Sequence, residues 1–283
     1  MAWNLILDGI DFGEGPRWRD GRLWFSDFHQ HTIFSVGDDG ARRIEVEHPG
    51  GRPSGLGWLP DGRLLFVSML DRRVMRVETG GAVVVHADLS HVATGHCNDM
   101  VVDVAGNAYV GNFGFDMEGG DDFATAKLAL VRPNGDVEIA AENLRFPNGS
   151  VITDGGATLI VGETFGGQFT AYDIADDATL SNARVWAAVP GTAPDGCTID
   201  AEGAIWFADA IGKQVVRVRA GGEVTDTLAT DDNAYACALG GSDGTRLFVL
   251  TCEDANPDVS AGTATGRLVA TTVDVPRNAT ALP

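Results

Sequence analysis

The chain has 283 residues, forty of them acidic and twenty basic, for a formal net charge of −20. That balance repels nucleic acid and anionic membrane surfaces, so neither is an expected partner. No stretch approaches the ~20 consecutive apolar residues of a membrane span, and Met1-Ala2-Trp3-Asn4-Leu5 has neither the basic nor the apolar part of a secretory leader.

The first apolar segment, Asn4-Leu-Ile-Leu-Asp8, belongs to no repeat. From residue 14 onward one unit recurs: a short segment, a turn with a small or acidic residue before Gly, then an apolar strand. Glu14 to Trp18 precedes Asp20-Gly21 and Leu23-Trp24-Phe25; Ser54 to Trp58 precedes Asp61-Gly62 and Leu64 to Val67. Asn98 to Val102 precedes Ala105-Gly106 and Ala108 to Val110, and Asn148 to Ile152 precedes Asp154-Gly155 and Thr158 to Val161. Asp195 to Ile199 precedes Glu202-Gly203 and Ile205 to Phe207; Ala236 to Leu239 precedes Asp243-Gly244 and Leu247 to Val249. Starts at 14, 54, 98, 148, 195 and 236 are spaced by 40, 44, 50, 47 and 41 residues, the length of a four-stranded propeller blade. Third strands follow in step, among them Thr32 to Val36, Arg73 to Val77 and Gln214 to Val218, with two-residue alternation.

These units predict an all-β, six-bladed β-propeller, a single domain over residues 1–283. The last unit ends before an obvious fourth strand. Asn4 to Asp8 is therefore expected to complete the last blade and close the ring, removing an exposed sheet edge.

The first strand of each blade lines the central channel, so equivalent positions converge near the axis. Those positions hold Glu14, Ser54, Asn98, Asn148, Asp195 and Ala236. Carboxylates gathered there repel one another and lose hydration, which a divalent cation relieves. Carboxylate and amide oxygens without His or Cys favour a hard ion: calcium first, with magnesium, manganese or zinc as alternatives. The competing reading is that Asn148-Gly149 and Asp195-Gly196 cap loops at the strand mouths, as Asx-Gly pairs do.

Glu14-Gly-Pro, Asn98-Asp99 with Val102-Asp-Val-Ala-Gly106, Pro147-Asn148-Gly149, and Pro194-Asp195-Gly196 with Asp200-Ala-Glu-Gly203 and Trp206 occur in this order. Together they resemble the SMP-30/gluconolactonase/regucalcin family across nearly the whole chain. The resemblance implies one divalent metal ion bound by Glu14, Asn148 and Asp195, with Asn98 contacting substrate or approaching the metal. It implies hydrolysis of a small-molecule lactone or ester, with Asp195 orienting or deprotonating the attacking water. Asp99 is a second candidate base. Sugar-lactonase members tend to carry Arg two residues before the Asn of the Asn-Asp motif; here that residue is His96, beside Cys97. His96 is a candidate for hydrogen bonding to substrate or for proton transfer.

Phe113, Phe115, Met117 and Phe165 are candidate substrate-binding residues, with Met69 and Phe146 nearby; such a wall suits a substrate less polar than gluconolactone. The segment from Gly114 to Ala126 is the longest break between strands in its repeat and reads as a lid hinged at Gly119-Gly120. No HExxH or P-loop is present, and no GxSxG or GxGxxG is placed between a strand and a helix. The leading expectation is a metal-dependent lactonase. A phosphotriesterase-like or other metal-dependent reaction, or a non-catalytic metal-binding propeller, are its rivals. Cys97, Cys197, Cys237 and Cys252 form no CxxC pair and are expected as reduced thiols in the cytoplasm.

Overall fold

Period-two alternation in each unit becomes a four-stranded antiparallel sheet, and there are six such sheets in the computed structural model, which describes residues 2–37 and 40–282. Their inner strands are Gly13–Arg19, Pro53–Trp58, Cys97–Val102, Pro147–Thr153, Pro194–Ile199 and Asn233–Gly240, here blades one to six. Each packs against the inner strand of the next blade, closing a ring about one channel.

Turn chemistry sets the hairpins. Asp20 and Gly21 both have positive φ, 51° and 73°, between the paired Arg19 and Arg22. That is a two-residue turn whose twist matches the flanking strands.

The expected closure is present. Asn4–Ile10 pairs antiparallel with Gly266–Thr272 as the outermost strand of blade six. Ile10 is fully buried in a cluster with Phe25, Phe248, Leu250 and Leu268, so the seam is held by apolar packing as well as hydrogen bonds. Beyond the last strand the chain crosses beneath the channel. Asn278 N donates to Ile199 O, and Leu282 and Ile152 exchange backbone hydrogen bonds, fastening the tail to blades five and four.

Among the described residues no helix is long and apolar enough to cross a membrane. All four cysteines are buried and unpaired.

Candidate active site

Glu14, Ser54, Asn98, Asn148 and Asp195 each hold the second position of an inner strand, at the same end of the channel. A β-bulge follows in every case. The extra residue bends the strand and re-aims its side chains. Crowding at the axis explains the glycines that come next. A Cβ on Gly149 would lie 2.4 Å from Asp195 O, and one on Gly196 would lie 2.5 Å from the Ala236 Cβ. Asn148-Gly149 and Asp195-Gly196 therefore lie inside strands, where backbones converge, and do not cap loops.

Blade six departs from the expected register. Its first pair, Asn233 with Cys252, matches Pro194 with Asp209 in blade five, which makes Ala234 the counterpart of Asp195. Ala236 lies two residues further down the strand. No polar side chain marks this blade, so the sequence offered nothing to fix its phase.

The two carboxylates are deeply buried: Glu14 and Asp195 are each 6% exposed, and Asn148 is 3% exposed. Burial drives the Glu14 carboxyl well above its ordinary pKa, and the Asp195 and Asp99 carboxylates push it further; the Gly15 N–H and Arg17 pull it back in part. Asp195 is raised by burial and by Asp99, against the Asn148 amide and the Gly196 N–H. Both shifts have one sign because burial and neighbouring carboxylates outweigh the groups that favour the charged form. Asp99 is served differently. Its Oδ1 accepts from Arg17 Nη2 at 2.7 Å and from Met100 N at 2.8 Å. It does not border the cavity above.

Two buried oxygens, Asn148 Oδ1 and Asp195 Oδ1, have no hydrogen-bond partner among the described residues. Asn148 is nonetheless fixed, because its Nδ2 donates to Thr164 Oγ1, which donates to Pro194 O. The amide oxygen is thus the end left free. Among the described residues no three His, Cys, Asp or Glu side chains converge on a common point. The donors are two carboxylates and one amide, an all-oxygen set suited to a hard divalent cation.

Above these residues lies a cavity of about 420 Å³, and two repeat positions build its wall. One is two residues before the polar position: Phe12, Arg52, Phe146 and Ala193. The other directly follows the second strand of a blade: Phe28, Met69, Phe113, Thr164 and Ala210. Asn98, Phe113, Met117 and Phe165 border the cavity, as expected. His96 and Phe115 stand behind its wall. His96 lies 6.0 Å from the Phe113 ring, and Phe115 packs on Phe123 and Phe165. Phe12, Phe28, Arg52 and Tyr235 were not singled out from sequence, although counting from the repeat register reaches the first three.

The SMP-30/gluconolactonase/LRE-like family model matches residues 12–253. The chain belongs to this family. Among the family's relatives, a pentonolactonase of Haloferax volcanii is 28% identical over 275 residues, covering 93% of this chain and 89% of its own length. A luciferin-regenerating enzyme superposes with a TM-score of 0.82 at 20% identity, covering 98% of this chain and 97% of its own. Regucalcin from Agrobacterium tumefaciens, described as a calcium-binding protein, gives the same score and identity, with 98% and 95% coverage.

Proposed function

We propose that this member of the family is a divalent-metal-dependent lactonase acting on a small lactone less polar than a sugar lactone. One observation carries the reading: two orphaned buried oxygens, Asn148 Oδ1 and Asp195 Oδ1, at the floor of an aromatic-walled cavity. Buried polar atoms are rarely left without partners, and these two sit beside a second carboxylate, Glu14, that makes no ion pair among the described residues. Glu14, Asn148 and Asp195 would hold the ion, with calcium the best fit to an oxygen-only set. A bound cation supplies Lewis-acid polarisation of the ester carbonyl and neutralises the two buried charges.

The chain's own residues do the rest. Asp195 takes the proton of the attacking water at Oδ1, the atom without a hydrogen bond. Asp99 is less suited to this role, since Arg17 and Met100 already occupy its Oδ1. Asn98 borders the cavity beside the floor and offers an amide to the substrate; Ser54 Oγ donates to its Oδ1 at 3.3 Å, which orients it. Phe12, Phe28, Phe113, Phe146 and Phe165 exclude water and hold an apolar ring in place. The pentonolactonase relative supports ring-opening hydrolysis as the reaction class. Four buried, unpaired cysteines support a reducing, cytoplasmic setting.

Asp195→Ala should lower bound metal per chain, read by elemental analysis, and reduce lactone hydrolysis by about 10³-fold. The same metal content and turnover in the variant would end the proposal.

A further inference from the structure

One member of the cavity wall does not match the rest. Arg52 is the only basic residue bordering the cavity among the described residues, its side chain is 12% exposed, and its neighbours along the wall include Phe28, Met69 and Met117. Its one hydrogen bond from the guanidinium among the described residues runs from Nη1 to Glu118 Oε1 at 2.5 Å. Glu118 is not part of the blade framework. It belongs to the loop between Ala108–Asn112 and Ala126–Val131, and its side chain is one-third exposed.

A guanidinium presents five N–H donors in a planar fork. Only one of those donors is used here, and the side chain borders the cavity, so the remaining donors are available to a ligand there. Other donor-type groups surround the same carboxylate. His96 Nδ1 lies 3.9 Å from Glu118 Oε1, and the His29 ring feels both the Arg52 charge and the Glu118 carboxylate. His29 Nε2 is buried without a partner. One guanidinium and the His96 imidazole thus lie within 4 Å of a single carboxylate delivered by a surface loop. The acids Glu14 and Asp195 lie at the floor, the reacting end, and Asp254 is exposed.

We propose that the Arg52 end of the cavity is a carboxylate subsite, filled by the loop's Glu118 until a ligand replaces it. The preferred substrate is then a lactone with an apolar body and a free carboxylate held by the Arg52 fork, in the geometry that favours bidentate pairing. Displaced Glu118 releases the loop that carries Met117 over the cavity, so ligand charge and loop position are coupled. This inference rests on the lactonase reading for the reaction and adds the substrate's chemical class.

The test uses full-length, metal-loaded protein and two aryl-substituted γ-lactones that differ only in a pendant carboxylate or its methyl amide. Wild type should favour the carboxylate by about 10- to 100-fold in kcat/KM, the range of a charge-assisted pair. Arg52→Gln should erase that ratio, and Arg52→Lys should restore part of it. Glu118→Gln, which leaves the arginine in place, should raise the ratio by removing the competitor. Equal losses on both lactones in Arg52→Gln would make the arginine a mere latch for the loop and overturn the subsite. So would weaker handling of the carboxylate by Glu118→Gln. If neither lactone is turned over, the hydrolysis reading fails, and calorimetric titration of the same pair still reads the subsite. Tighter binding of the carboxylate, lost in Arg52→Gln, sustains the subsite; equal binding ends it.

Discussion

Asp195, near the start of the inner strand of blade five, and Asp200, just past its end, are both buried, and the protein treats them in opposite ways. Asp200 Oδ2 accepts from Arg217 Nε at 2.7 Å, while its Oδ1 accepts from Glu202 N and Ala204 N. Arg217 is shared onward with Glu202 and Thr225, so charge and hydrogen bonds are both satisfied within the protein. Asp195 has an oxygen with no partner and other acids as its neighbours. One end of the channel is finished by protein groups, and the tail runs across it. The other is left incomplete in charge and in hydrogen bonding. A buried carboxylate costs several kcal/mol unless something compensates it, so the unfinished end is where the proposed cation would be held.

The sharpest way to break this comparison is at the finished end. Asp200→Ala takes away the buried partner of Arg217, leaving it Glu202 and Thr225, and removes the turn bonds from Glu202 N and Ala204 N; it should cost about 3 kcal/mol of stability in denaturant unfolding. Metal bound per folded chain should not change. A variant that lost metal as well would show that the two ends are coupled, against the division drawn above. A smaller effect is expected from ending the chain after Val275. That removes the backbone bonds to Gly244, Ile199, Ala201 and Ile152 and should cost about 2 kcal/mol. Lactone kcat/KM should stay within about twofold, because the tail lies at the end away from the cavity.

The smallest predicted effect concerns pH in chelator-treated protein. Glu14 and Asp195 have raised folded-state values, so the folded chain holds protons that the unfolded chain has already released. Their contribution is fully present below the ordinary carboxylate range and is lost as pH rises through the folded values. Metal-free Asp195→Asn should therefore melt about 2–4 °C above metal-free wild type at pH 8, the shift expected for about 1 kcal/mol in a chain of this size. The gap should close on acidification. Surface acids held low by arginines, such as Glu78 and Glu138, are common to both proteins and cancel in the difference. No gap at pH 8 would mean that the two carboxylates are compensated without metal.

Much of the site was legible because the repeat carries its own coordinates. Once Glu14, Asn98, Asn148 and Asp195 were phased by their following turns, convergence at one channel mouth followed from propeller geometry. The same counting leads to Arg52, two residues before Ser54 just as His96 is two residues before Asn98. The arginine thus stands one blade earlier than the histidine at the same repeat position. Blade six was misphased for the opposite reason: Ala234 and Ala236 look alike in sequence, and only pairing with Thr251 and Leu250 separates them. Phe115 illustrates a third case. Its aromatic character was evident, but whether it borders the cavity or packs on Phe123 and Phe165 depends on the path of the loop.

Sequence alone determined the six-blade architecture, a closing strand beginning at Asn4 and the polar positions at the channel mouth. Each follows from local chemistry repeated in phase: alternation, turn residues, and glycine where backbones crowd. Tertiary structure decided which acids are compensated. Asp99 is matched by Arg17 from blade one and Asp200 by Arg217 from its own blade, whereas Asp195 has no cationic partner among the described residues and an Oδ1 with no hydrogen bond. Such pairing depends on side chains that meet across distances of a few ångströms from strands up to 82 residues apart in sequence. Nothing in the spacing of a repeat encodes it.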